Sequence, residues 1–142
     1  SELLRRDHTP RHPVDEDLGF VYGTVIVDRS PSAPDDRGSA TAGADLRNVT
    51  IFADAEVDRS PCGTGTSALL AQAVARGRLE VGGVLRSASL TGAVFEARVE
   101  RRTRLGPYEA IVPSVAGTAY VTGYSTFVVD ARDPLGEGFL LR

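Results

Sequence analysis

An α+β domain, with a curled and mostly antiparallel sheet around one central buried helix, is the fold this sequence predicts. Three observations predict it. A single helical pattern, about Gly65 to Arg76, carries apolar residues around most of its circumference. Two β-branched and aromatic runs precede it, and from Val84 onwards the pattern is strand-like to the end. One helix buried on nearly all sides, with several strands to cover it, implies a sheet that bends around it.

Taken in order, Leu18 to Asp28 (LGFVYGTVIVD) reads as the first strand. Arg29 to Asp45, rich in Ser, Pro, Asp, Gly and Ala, reads as a mobile loop whose Asp35-Asp36 pair keeps it soluble. Arg47 to Ala55 is a second strand, with Val49, Ile51 and Ala53 on one face and Thr50, Phe52 and Asp54 on the other. The helix follows and stops at Gly77, with Arg76 placed well against its negative end. Further strands are expected at Val84–Leu90, Ala93–Arg104, Tyr108–Pro113 and Ala116–Val129. Gly117 and Gly123 lie inside the last run and suggest bulges or tight bends. A turn-rich tail then ends in Phe139-Leu140-Leu141.

Composition removes several classes of function. At 142 residues the chain is about one domain long, and a single lobe spanning 1–142 is expected. A net charge of -3 argues against a nucleic-acid partner, which needs a concentrated positive field. No apolar run approaches the roughly 20 residues that span a bilayer, and Ser1 to His8 lacks the apolar core of a signal peptide. With one cysteine no intrachain disulfide can close, so a reducing cytoplasm is the expected location. All 16 basic residues are arginine, so no lysine of this chain can form a Schiff base. His8 and His12 have a metal-compatible spacing on a helix, but Pro10 and Pro13 break that helix; they read as structural or surface residues, and no metal site is expected. Asp15-Glu16-Asp17 and Arg101-Arg102 read as solvated charges.

The chemistry concentrates in Asp58-Arg59-Ser60-Pro61-Cys62-Gly63-Thr64-Gly65-Thr66-Ser67-Ala68. It puts the only cysteine at the start of the helix, where backbone N–H groups are unpaired and carry the positive end of the macrodipole. Such a setting favours thiolate over thiol. The same N–H groups can hold a carboxylate, and glycines at 63 and 65 allow close backbone approach. Thr64 and Thr66 add hydroxyl donors. A sulfur beside the α-carbon of a bound amino acid can remove or deliver its α-proton, and Asp58 can pair with the substrate nitrogen. Pro61 holds Ser60 extended and fixes the approach to the helix. The plainer alternative is a small buried cysteine with no chemistry. A phosphate loop fits poorly, because GTGT lacks both a lysine and the GxGxxG spacing. A cysteine hydrolase would need a histidine placed near Cys62.

DRSPCGTGTSA closely resembles the second catalytic-cysteine motif of the proline racemase family, which comprises proline racemases, 4-hydroxyproline epimerases and 3-hydroxyproline dehydratases. Weaker matches follow the family's order: His12-Pro13, Gly19 to Thr24, Asn48 to Phe52, Gly117-Thr118-Ala119, Thr122-Gly123, Asp133-Pro134 and Gly138-Phe139. The resemblance implies a fold similar to diaminopimelate epimerase, with two pseudo-symmetric lobes, each a curled sheet around a helix. A cysteine from each helix start then faces the substrate from opposite sides, without a cofactor. It implies that this chain is the C-terminal lobe, that Cys62 is one of the two acid/bases and that Asp58 binds the substrate amine. Gly63 and Thr64 hold the carboxylate through their amides, and Phe52 forms an apolar wall.

The family's first cysteine, in a Cys-Gly-His context of the other lobe, has no counterpart here, and Ala88 stands where the resemblance leads to a glutamate. The expected partners are therefore proline or hydroxyproline and either the missing N-terminal lobe or a second subunit. Cysteine at 62 points to a racemase or epimerase, since the dehydratase branch often has threonine there. The Phe52-Ala53-Asp54 and Tyr22-Gly23-Thr24 contexts look like the dehydratase branch. The isolated chain is expected to be inactive, a folded module that binds a carboxylate weakly.

Overall fold

The computed structural model describes residues 2–8, 10–29, 43–52 and 55–138. Most of the Arg29–Asp45 loop, including Asp35 and Asp36, lies outside the described residues, as do Ala53, Asp54 and Phe139-Leu140-Leu141. A short helix, α1 (Glu2–Asp7), leads to a 3-10 turn at Glu16–Leu18. Then come β1 (Gly23–Asp28), β2 (Leu46–Phe52), α2 (Gly63–Ala75), β3 (Val84–Ser89), β4 (Val94–Leu105) and β5 (Tyr108–Ala116).

The strands form one sheet in the order β1-β2-β3-β4-β5. Three of its pairings are antiparallel; β2 and β3 are parallel because α2 crosses between them. α2 contacts β3, β4 and β5. A Cβ on its Gly65 would stand 3.1 Å from Val25 of β1 and 3.1 Å from Thr50 of β2. Every strand thus reaches the one helix, which is the curl the sequence predicts.

Two layers separate helix from sheet. Leu69, Leu70 and Val74 of α2 meet Leu46, Leu85, Ala97 and Val99, with Val25, Val27, Leu79 and Ile111 around them. Towards the start of α2 the sheet presents buried polar residues instead, among them Asn48, Thr50, Ser87 and Ser89. On β2 the inward set is therefore Leu46, Asn48 and Thr50, while Val49 and Ile51 lie half-buried. α2 ends in a Schellman arrangement: Gly77, at φ +66°, donates to the Val74 carbonyl and Arg78 donates to that of Ala73.

Four expectations are corrected. β1 starts at Gly23 rather than Leu18, because a 3-10 turn takes the first residues of that run: the Leu18 amide donates to the Asp15 carbonyl at 3.3 Å and the Gly19 amide to the Glu16 carbonyl at 3.0 Å. α2 starts at Gly63, two residues earlier than expected, with Cys62 as its cap. It is also not enclosed on nearly all sides: Gly63, Thr64, Ala68, Gln72 and Ala75 are not buried, since the sheet covers one side only. Finally, Ala116–Val129 is not a strand. β5 runs unbroken through Pro113 and Ser114 to Ala116, after which residues 117–130 have no regular structure. Tyr120, Val121, Tyr124, Phe127, Val128 and Val129 are each at least 71% exposed, so the run has strand-forming side chains but, among the described residues, no neighbouring strand. Gly117 marks a close approach, since a Cβ there would stand 2.5 Å from Cε1 of Phe95. The register shift lies instead at Val99/Arg101 of β4.

Leu70 is fully buried at the centre of the apolar layer, so Leu70→Ala should lower unfolding stability by about 2–5 kcal/mol in urea titration. Tyr124→Ser in the exposed run should stay within about 0.5 kcal/mol. Equal effects of the two substitutions would contradict this packing.

Candidate functional site

After β2 the chain folds back on the strand's end. Phe52 N–H donates to the Glu56 carbonyl at 2.9 Å, Val57 bridges Ile51, and Asp58 N–H donates to the Thr50 carbonyl at 2.9 Å. This return carries residues 58–62 back along the polar inward face of β2. There the Asp58 carboxylate accepts the Ser60 amide at 2.8 Å, and Ser60 Oγ accepts the Cys62 amide at 3.0 Å. The Pro61 carbonyl accepts from Asn48 Nδ2 at 3.1 Å and from Thr66 Oγ1 at 3.0 Å.

Cys62 is the N-cap of α2, doing with sulfur what Ser, Thr, Asp or Asn usually does with oxygen. Its Sγ accepts from the Gly65 amide at 3.3 Å and lies 3.4 Å from Thr64 Oγ1. Its backbone sits at φ 61° and ψ 116°, a conformation that costs a non-glycine residue about 1–3 kcal/mol. The amides of Gly63 and Thr64 belong to the first helical turn and have no acceptor within the helix. Gly63 is exposed, and nothing comes within 4 Å of where its Cβ would be.

Four of the five residues singled out from sequence, Asp58, Cys62, Gly63 and Thr64, come together in this turn. Phe52 stands at the end of β2, two residues beyond Thr50 on the same face by strand alternation, and its ring meets Tyr22 at 5.4 Å. Phe20 packs edge-on to Tyr22, extending the aromatic wall. The thiol is covered from solvent, for Cys62 is only 4% exposed. Its sulfur bonds to the helix mouth, so its neighbours there are an amide and an exposed threonine.

Sequence reasoning did not single out the supports of this turn: Asn48, Thr50, Ser60 and Ser87. Asn48 Nδ2 also donates to Ser87 Oγ at 2.8 Å across the parallel β2–β3 pair. Thr50 Oγ1 is buried with no hydrogen-bond partner among the described residues, a state that costs about 1–3 kcal/mol. The readable signal was the polar alternation Asn48, Thr50 on a strand otherwise rich in β-branched residues. Elsewhere, His12 and Glu16 help line a shallow recess with Pro10, Arg11 and Gly19, remote in sequence from the turn. Among the described residues no group of three His, Cys, Asp or Glu side chains could hold a metal ion, and no helix is long and apolar enough to cross a membrane.

Known proteins resemble this chain in sequence and in fold. The sequence profile of the family described as proline racemase matches residues 1–140. A trans-3-hydroxy-L-proline dehydratase of Bacillus cereus is 47% identical over 131 residues, covering 92% of this chain and 36% of that protein. A proline racemase of Acetoanaerobium sticklandii is 40% identical over 138 residues, 97% of this chain and 38% of its own length. A crystal structure of a hydroxyproline epimerase from Agrobacterium vitis, with trans-4-hydroxy-L-proline bound, superposes with a TM-score of 0.74 at 32% identity and covers 99% of this chain and 37% of that one. The chain therefore spans well under half the length of these relatives. With its Cys62 turn, its helix α2 under a five-stranded sheet and a profile match over almost its whole length, the chain belongs to the proline racemase family.

Proposed function

We propose that this chain is the C-terminal lobe of a cofactor-independent proline racemase-like isomerase, in which Cys62 is one of two thiols that move the α-proton of proline or hydroxyproline. The observation that carries this reading is the position of Cys62 as N-cap of α2, directly before two amides without intrahelical partners. A substrate carboxylate accepts from Gly63 and Thr64. The Asp58 carboxylate, whose Oδ1 holds the Ser60 amide, offers its other oxygen to the ring ammonium. Phe52 and Tyr22 supply an apolar wall for the ring.

The thiolate of Cys62 takes the α-proton, and the electron pair of the broken C–H bond spreads from the α-carbon into the carboxylate. Negative charge then grows on the oxygens held at the positive end of α2, which stabilises the intermediate more than the ground state. A thiol on the opposite face gives its proton to the same carbon, inverting it, and the two sulfurs exchange protonation states. This chain has one cysteine, so the second thiol comes from the N-terminal lobe or a second subunit. The exposed apolar run Tyr120–Val129 supports such a partner, because soluble monomers rarely leave so much contiguous apolar surface open.

The second reading is a trans-3-hydroxyproline dehydratase lobe, favoured by the 47% identity to a relative of that name. There the same α-proton leaves, the C–H electron pair forms a C2=C3 double bond, and the 3-hydroxyl departs with the C–O pair and takes up a proton as water; the resulting enamine tautomerises to a pyrroline. A pyrroline product that reacts with aminobenzaldehyde separates it from simple inversion.

In an enzyme where this chain is completed by its second lobe, Cys62→Ser should slow exchange of the α-hydrogen of L-proline or trans-4-hydroxy-L-proline in deuterated water by about 10²–10⁴-fold with the fold intact. Full activity of that variant would refute the role given to Cys62. The isolated chain should turn nothing over, yet tens of millimolar L-proline should shift the NMR signals of the Gly63 and Thr64 amides. Amides that do not respond, with signals moving elsewhere or nowhere, would remove the carboxylate site.

A further inference from the structure

The Pro61–Cys62 peptide is gripped at both ends. Its carbonyl accepts two side-chain donors, Asn48 Nδ2 at 3.1 Å and Thr66 Oγ1 at 3.0 Å, while its N–H donates to Ser60 Oγ at 3.0 Å. The orientation of this one peptide plane sets φ of Cys62, which is +61°. Asn48 and Thr66 are 2% and 0% exposed, and Asn48 is itself anchored by Ser87. None of these three contacts involves the sulfur. They act on the backbone that aims it.

A second observation lies beside the thiol. Thr50 is 3% exposed and its hydroxyl has no partner among the described residues. That hydroxyl is 3.1 Å, and Cys62 Cβ 3.3 Å, from the point where a Cβ on Gly65 would stand. Buried hydroxyls are nearly always hydrogen-bonded, so one left unpaired next to the helix mouth marks a place for a polar atom brought by a ligand or water.

We propose that Asn48 and Thr66 are positioning residues for Cys62: together they lock the Pro61–Cys62 peptide in the orientation that keeps Sγ at the mouth of α2. Their catalytic consequence rests on the function proposed above; the lock itself does not. Without one donor the peptide plane turns, φ relaxes towards negative values and Sγ leaves the Gly65 amide. The sulfur then no longer sits beside the carboxylate held by Gly63 and Thr64.

Two amides report the lock directly, because Gly65 N–H has Sγ as its acceptor and Cys62 N–H has Ser60 Oγ. Hydrogen exchange followed by NMR on the 142-residue chain reads both. Thr66→Val removes one donor at nearly constant volume and should speed exchange at Gly65 and Cys62 by about tenfold, leaving Leu69 to Val74 unchanged. Thr66→Ser, which keeps the hydroxyl, should restore protection. Asn48→Ala should give the same local pattern, and if it fails to fold the Thr66 pair decides alone. Uniform acceleration along α2, or no change at the two amides, overturns the proposal. In the two-lobed enzyme Thr66→Val should lower kcat about tenfold with KM little changed; an unaltered kcat overturns the positioning role. A wild-type enzyme that exchanges no α-hydrogen would refute the functional reading instead, and amide exchange would still decide the lock.

Discussion

The mouth of α2 depends on a single peptide plane being held where an ordinary residue would not hold it. Cys62 has a positive φ without being glycine, and backbone strain is the cost of a sulfur that caps its own helix. The three hydrogen bonds on the Pro61–Cys62 peptide are each modest, about 0.5–1.5 kcal/mol net, but together they are of the size needed to offset that strain. The donors come from separate places: Asn48 from β2 and Thr66 from α2, while the acceptor Ser60 belongs to the turn itself. Any shift of helix against sheet disturbs them together, so the site is tied to the packing of the whole domain.

That dependence explains why the inner face of the sheet is divided. Where α2 ends, the contact is apolar, with Leu46, Leu85, Ala97 and Val99 meeting Leu69, Leu70 and Val74. Where α2 begins, Asn48, Thr50, Ser87 and Ser89 are buried, although aliphatic residues there would stabilise more. Ser87 holds Asn48, and Asn48 holds the peptide before the thiol. The Thr50 hydroxyl holds nothing within the described residues. The polar layer gives up stability near the helix mouth in return for a fixed backbone and one spare hydroxyl beside it.

The other half of the molecule's logic is the surface it leaves uncovered. α2 has one exposed side, and the run from Tyr120 to Val129 offers strand-forming residues with no strand beside them. The relatives are much longer, and this chain accounts for 36–38% of their length in the matches described. A half-covered helix and an uncovered apolar run are the surfaces on which the proposed second lobe or subunit would pack.

The sequence by itself determined the fold class, one helix with a curled sheet, because periodicity and β-branched runs are local properties that survive without tertiary context. The residue types gathered in the candidate turn were legible as well: the cysteine after proline, the glycines at 63 and 65, and Asp58 upstream are close in the chain, so a helix start alone brings them together. Tertiary structure alone decided what holds that start in place. Asn48 and Ser87 lie 39 positions apart and meet only through the parallel β2–β3 pairing, a contact no local pattern encodes. It also decided that the thiol is covered and that Ala116–Val129 stays unpaired, because burial and strand pairing are set by which neighbours exist, while propensity reports only which are wanted.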